Sequence, residues 1–256
     1  MNCLLCCTRV CPNVFVMTFT AILGFATFFG IFPQIIQVST KPVFFTLIGL
    51  FTFICFSMFI WCWLSAAIMD PGRVKDDLEK RGVLSRIQRG DIPDCLRNLP
   101  ICDKCKLPRP KGAVHCDECQ SCCLRYDHHC GVIGQCVGDK NMKAFILSFL
   151  YASIFGFTSS ACGFYYCITD SFSSNAISKI LILIASVYDI SIAFALGCFG
   201  IGFLFNIAKD LGSIEFKTRK LLLLFGNNFM ERMLPTQKNA TFAAWPGVCW
   251  NLDYEP

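Results

Sequence analysis

The chain has 256 residues, of which 54% are hydrophobic and 16% charged, with a formal net charge of +5. A mean hydropathy of +0.52 excludes an ordinary soluble domain and points to several membrane spans. The charge does not suit a nucleic-acid-binding surface, because the fourteen Lys and Arg of residues 70–143 are offset by eleven Asp and Glu.

Residues 1–13 form a cysteine-rich N-terminal segment with Cys3, Cys6, Cys7 and Cys11. Asn2 excludes N-myristoylation, and these cysteines read equally well as S-acylation sites or as plain thiols. Val14 to Ile36 is a first apolar stretch, long enough at ~1.5 Å per residue to cross a ~30 Å hydrocarbon core. A hinge with Lys41 and Pro42 leads into a second, Val43 to Met69, so residues 14–69 read as a transmembrane hairpin. Asp70-Pro71-Gly72 then stops the helix. Residues 70–143 are a polar loop and Ala144 to Ile168 a third stretch. The fourth contains Asp189, which a lipid-facing position would penalise; placing it near the far interface gives Ile190 to Ala208 as the minimal span, with 177–189 as a helical extension or interfacial piece. Spans three and four thus occupy 144–208, and 209–256 form a C-terminal tail. Outside the loop 70–143 and the two ends, only Lys41 and Lys179 are basic. The positive-inside rule therefore puts both termini and the loop in the cytosol, where the sequon Asn239-Ala240-Thr241 is a chance match. The spans lack the paired charges or broken helices of a transport pathway.

Within the loop, the stretch 102–136 holds eight of the nineteen cysteines and all three histidines, His115, His128 and His129. Cys102-x2-Cys105 and Cys116-x2-Cys119 are two knuckles, each able to give two thiolates to a tetrahedral zinc. Completing two sites takes about four more ligands. His115, Cys122, Cys123, His128, His129, Cys130 and Cys136 offer more than that, so at least one Cys and one His are left free. A spare Cys beside a spare His is the raw material of an activated thiolate. In an extended segment His128 and Cys130 share one face while His129 points to the other. Bringing Asp127 to the His128 face requires a local curl. On spacing alone, a purely structural two-zinc module accounts for the pattern equally well.

Asp127-His128-His129-Cys130, preceded by Cys-x2-Cys, His-Cys-x2-Cys and a further Cys and followed by Cys136, resembles the cysteine-rich domain of the DHHC-type protein S-acyltransferases (palmitoyltransferases). Asp70-Pro71-Gly72 matches a short family motif after the second span. The resemblance implies two interleaved structural zinc sites, Cys102, Cys105, His115 and Cys122 for one, Cys116, Cys119, His129 and Cys136 for the other. It implies Cys130 as the acyl-accepting nucleophile, His128 as its general base, Asp127 as the group orienting His128, and Phe155 as a residue meeting the acyl chain. The expected fold is an all-α polytopic membrane protein, four transmembrane helices with a cytosolic Cys/His-rich two-zinc module between helices 2 and 3. The expected activity is transfer of a long-chain acyl group from acyl-CoA, such as palmitoyl-CoA, through a thioester on Cys130. The acceptors would be membrane-proximal cysteines of cytosol-facing target proteins. An endomembrane (ER/Golgi) or plasma-membrane bilayer is the expected setting. The alternative is a membrane-anchored zinc-binding adaptor of the same fold with little turnover. It is suggested by the departure at Gly131-Val132-Ile133-Gly134-Gln135, where the family carries a Pro-Trp-Val-x-Asn-like run. Two further family features are partial: Gly212-Ser213-Ile214-Glu215 stands for a Thr-Thr-x-Glu motif, and Asn228-Phe229 resembles an Asn-aromatic pair.

Overall fold

The structure, a computed structural model, describes residues 3–169, 176–209 and 228–235. It is mostly helical. Four helices among these residues are long and apolar enough to cross a membrane: Val14–Gln37, Pro42–Ile68, Met142–Thr169 and Ala176–Asn206.

The first span is a helix with a defect whose cause is local. Helix α1 (Cys3–Phe25) begins inside the cysteine-rich segment, passes through a π-helical turn (Ala26–Ile31) and continues as α2 (Phe32–Val38). Pro33 has no N–H for the preceding turn and its ring crowds the carbonyl four residues back; the wider π turn absorbs both effects. Helix α3 (Pro42–Ile68) starts on a proline, where a missing N–H leaves no bond unmade. It stops at Asp70-Pro71-Gly72, where Asp70 Oδ1 accepts the N–H groups of Gly72 (3.2 Å) and Arg73 (3.1 Å).

The chain divides into two compact units. Among the described residues, one comprises 14–63, 146–169 and 176–209, the bulk of the spans. Here α7 (Met142–Thr169) and α8 (Ala176–Lys209) meet through small residues. A Cβ on Gly163 would fall 2.0 Å from Ser186 Oγ, and one on Gly156 2.8 Å from Ala193 Cβ, so the backbones approach as only glycine permits. Of the two readings of 177–189 the structure has the helical extension, because α8 is one helix with Asp189 well inside it and buried. The reason is polar satisfaction. Asp189 Oδ2 accepts a hydrogen bond from Ser159 Oγ (3.1 Å), which lies 3.1 Å from Thr27 Oγ1. An acid supplied with such partners does not face lipid and does not end a span.

The other unit comprises residues 64–145 together with, among the described residues, 3–13 and 228–235. Three short helices, α4 (Val74–Lys80), α5 (Leu84–Gln88) and α6 (Asp94–Arg97), precede two antiparallel hairpins. These are β1 (Val114–Cys116) with β2 (Ser121–Cys123), and β3 (His128–Cys130) with β4 (Gln135–Val137). Val74, Leu78, Leu84, Ile87, Leu96, Leu107 and Leu124 pack around Cys102 and Cys122 as a small core. Buried carboxylates in this unit are paired: Asp77 with Arg81 (2.8 Å) and Lys140 (3.4 Å), and Asp139 with Arg125 (3.0 Å).

Candidate active site and metal clusters

Strand alternation sorts the ligands. Successive side chains on a strand point to opposite faces, and directly paired residues share a face. In the first hairpin His115 pairs with Cys122; in the second His129 pairs with Cys136. Each pair belongs to a different cluster. Cys116, next to His115, turns to the opposite side and joins His129 and Cys136. One hairpin therefore serves both clusters, and the interleaving is a direct product of the two-residue repeat.

The knuckles supply the remaining ligands. Each Cys-x2-Cys is followed at once by a residue in the left-handed region, Lys106 (φ 55°) after Cys105 and Gln120 (φ 51°) after Cys119. That backbone reverses the chain tightly enough to aim both sulfurs at one point. Cys105 Sγ, Cys102 Sγ and Cys122 Sγ stand 3.2, 3.7 and 3.9 Å from His115 Nδ1. Cys119 Sγ, Cys116 Sγ and Cys136 Sγ stand 3.4, 3.5 and 3.9 Å from His129 Nδ1. A tetrahedral zinc with Zn–S of about 2.3 Å and Zn–N of about 2.0 Å requires ligand atoms roughly 3.5–3.8 Å apart. Both Cys3His sets fit such an ion.

The thiols agree with that reading. The hydrogen bond from Cys136 and burial push Cys119 up to about 12. Burial, then crowding by Cys102 and Cys105, pushes Cys122 up. Repulsion among several thiolates is what a bound dication relieves. The eight expected ligands are the members of these two clusters, four in each.

On the opposite face of β3 stand His128 and Cys130, neither of which belongs to a cluster. His128 Nδ1 lies 2.7 Å from Asp127 Oδ2, which leaves Nε2 for the hydrogen bond to the Cys130 sulfur. The curl that brings Asp127 there begins at Arg125, in the left-handed region at φ 45°. Asp127 N–H is then fixed by the Val137 carbonyl (3.0 Å). The Asp127 hydrogen bond, with that of Cys130, raises His128 to about 9. Burial alone would raise the Cys130 thiol. His128 and the N–H groups of Ile133 and Val132 outweigh it and bring the thiol below its ordinary value. The arrangement can hold a thiolate beside an imidazolium.

The structure also shows residues that spacing does not single out. Phe145 packs its ring edge-on to His128, centroids 5.5 Å apart. Gln135 and Asn141 are buried amides that reach the end of α3. Asn228 precedes the short helix α9 (Phe229–Met233), whose Glu231 carbonyl accepts a hydrogen bond from buried Lys143 Nζ. Cys123, outside the ligand pattern, is buried against Cys116 and Cys136. Phe155 belongs to the span unit, where it packs on Phe56 (5.0 Å) and Phe28 (6.2 Å between centroids). The side chains of Cys3, Cys6, Cys7 and Cys11, the segment Gly212 to Glu215 and the sequon at Asn239 lie outside the described residues.

Residues 97–220 match the family model for the DHHC palmitoyltransferase. The chain is 34% identical over 97 residues to probable protein S-acyltransferase 12 of Arabidopsis thaliana, covering 37% of this chain and 33% of that protein. It is 29% identical to probable protein S-acyltransferase 15 of the same plant, covering 58% of each chain. It is 25% identical to palmitoyltransferase ZDHHC15 of Xenopus laevis, covering 75% of this chain and 64% of that one. The chain thus spans a third to under two thirds of the length of these relatives.

Proposed function

Because this chain belongs to the DHHC-type family, we propose that it is a protein S-acyltransferase working through a thioester on Cys130. The observation that carries the reading is the division of labour on β3. His129 faces a metal cluster, while Cys130 and His128, held by Asp127, stand together on the other face.

In this mechanism the Cys130 thiolate attacks the thioester carbonyl of a long-chain acyl-CoA such as palmitoyl-CoA. The bond to the CoA sulfur breaks, and CoA leaves with a proton from the His128 imidazolium. His128 then takes the proton of a target cysteine thiol, whose sulfur attacks the acyl-Cys130 carbonyl and releases the Cys130 thiolate. Asp127 keeps the imidazole in the tautomer and orientation that both steps need. Cys102, Cys105, His115 and Cys122 would hold one zinc ion and Cys116, Cys119, His129 and Cys136 a second, and the bound ions would fix the geometry of the hairpins. Phe155, with Phe28 and Phe56 around it, would meet the acyl chain.

The basic loop 70–143 supports a cytosolic module and cytosolic termini, at an endomembrane (ER/Golgi) or plasma-membrane surface. Targets would then be cytosol-facing proteins with membrane-proximal cysteines.

The test is a two-step transfer. Zinc-loaded protein in detergent is acylated with palmitoyl-CoA, freed of excess donor and given a peptide with a single cysteine beside an apolar segment. The acyl group should pass to the peptide and restore a free Cys130. An acyl group that stays on the protein, or is only hydrolysed, rejects the reading and favours the zinc-binding adaptor.

A further inference from the structure

Helix α3 ends with carbonyls that have no partner in the helix, as every helix does, and for an apolar helix such groups are costly unless satisfied. The last helical bond at this end runs from Met69 N–H to Ser65 O (2.9 Å). Beyond it, Gln135 Nε2 lies 2.8 Å from Ala66 O, 2.9 Å from Ala67 O and 2.8 Å from Met69 O. Asn141 Nδ2 adds a second donor to Ala66 O (3.1 Å), and binds Cys136 O (2.9 Å). Its Oδ1 accepts the Gly138 N–H (2.9 Å). Both side chains are buried, Asn141 completely. Two amide groups from the second hairpin and the turn after it therefore close the end of α3.

Gln135 has a special place in that hairpin. It is the direct cross-strand partner of Cys130, so the two residues share the face opposite His129 and Cys136. The residues between them, Gly131 to Gly134, form a turn closed by Gly134 N–H on Cys130 O (2.9 Å), with Gly134 at φ 71°. Two glycines make this turn pliable, and no metal ligand lies within it. The side chain directly across from Cys130 lies within hydrogen-bond distance of three carbonyls of α3.

We propose that Gln135 is a positioning residue for Cys130, and that its carboxamide, by capping the C-terminus of α3, supplies the rigidity that a stiffer segment at 131–134 would otherwise provide. This inference rests on Cys130 being the acylated residue. Asn141 anchors the following turn to the same carbonyl and acts in support.

The experiment compares wild type, Gln135→Leu, Gln135→Glu and Gln135→Asn as full-length, zinc-loaded proteins in detergent. Three quantities are read: zinc content, hydrogen exchange of the amides of 131–135, and the dependence of single-turnover Cys130 acylation on palmitoyl-CoA concentration. Gln135→Leu keeps the shape and removes the donors. It should keep both zinc ions and the half-saturating acyl-CoA concentration, expose 131–135 to faster exchange, and lower the saturating rate roughly 10- to 100-fold. Gln135→Glu turns a carboxylate toward three carbonyl oxygens and the negative end of a helix, and should lose more. Gln135→Asn keeps the amide on a shorter arm and should recover part of the rate. Wild-type exchange and rate in Gln135→Leu, with zinc intact, would overturn the proposal. So would a loss that comes only with loss of zinc. Absence of Cys130 acylation in wild type would instead reject the acyltransferase reading, while the exchange result would still decide whether Gln135 secures the turn.

Discussion

Hairpin β1–β2 and hairpin β3–β4 have the same length, the same antiparallel register and a His-Cys pair at the centre, but they spend their faces differently. In the first, His115 with Cys122 serves one cluster, and Cys116 on the other face serves the second. In the second, only the face of His129 and Cys136 carries metal ligands. The other face is given to His128, Cys130 and Gln135. A strand whose central residue joins a Cys/His cluster thus presents, one residue to either side of it, an imidazole and a thiol that the cluster leaves out. The contrast shows how one alternating strand can be structural and chemical at once.

Breaking the metal face of the second hairpin should have the largest effect. His129→Ala or Cys136→Ala should reduce metal content from two ions to one, read by elemental analysis, and abolish acylation. Because Cys116 of β1 shares that cluster, the first hairpin should loosen as well, seen as faster hydrogen exchange at 114–123. Retention of both ions would break the comparison.

Next comes the chemical face. His128→Gln should keep both metal ions and slow acylation roughly 10²- to 10⁴-fold. The pH profile gives the sign. Cys130 must lose its proton to attack, so the rate rises with pH through a thiol held below its ordinary value. His128 must keep its proton to donate it, so the rate falls as pH passes about 9. In His128→Gln the rising limb should move to higher pH and the falling limb vanish. Asp127→Asn should cost less, roughly 10- to 100-fold, and lower the pH of the falling limb, since the Asp127 hydrogen bond is the main cause of the raised His128 value.

The smallest effect is expected at Cys123, the cysteine of β2 that touches the second cluster without joining it. Cys123→Ala should keep both metal ions and lower stability by about 1 kcal/mol, read from denaturant midpoints. Gly138 faces the same sulfur more tightly. A Cβ there would fall 2.4 Å from Cys123 Sγ and 2.6 Å from Pro71 O, so Gly138→Ala should destabilise this unit even in the Cys123→Ala background.

Much of this organisation was legible in the sequence because it is written in local periods. Four long apolar runs announce four helices, and a two-residue alternation separates His129 from His128 and Cys130. What was not legible depends on distant partners. Asp189 reads as a span boundary because a lone acid is costly in lipid; Ser159 and Thr27, far away in sequence, make it acceptable within α8. Gln135 reads as the end of a pliable loop, since nothing in its neighbourhood names the carbonyls of Ala66, Ala67 and Met69 as its partners. The same holds for Phe145 against His128. The sequence shows that Asp127 needs a local curl, whereas the source of that curl, a left-handed Arg125, has no glycine to announce it.

Strand alternation keeps the Cys130 thiol beside His128 and out of both clusters, as the proposed thioester chemistry requires. The most direct measurement is site mapping of the thioester, by treating the purified zinc-loaded protein with an alkyne-tagged palmitoyl-CoA and locating the hydroxylamine-labile adduct by tandem mass spectrometry. The adduct is expected on Cys130, with none on the eight cluster residues, and the label should be lost completely in Cys130→Ser with both metal ions retained. Label on Cys3, Cys6, Cys7 or Cys11 that persists in Cys130→Ser, or no label on a protein that still holds its metal, would contradict the proposed role of Cys130.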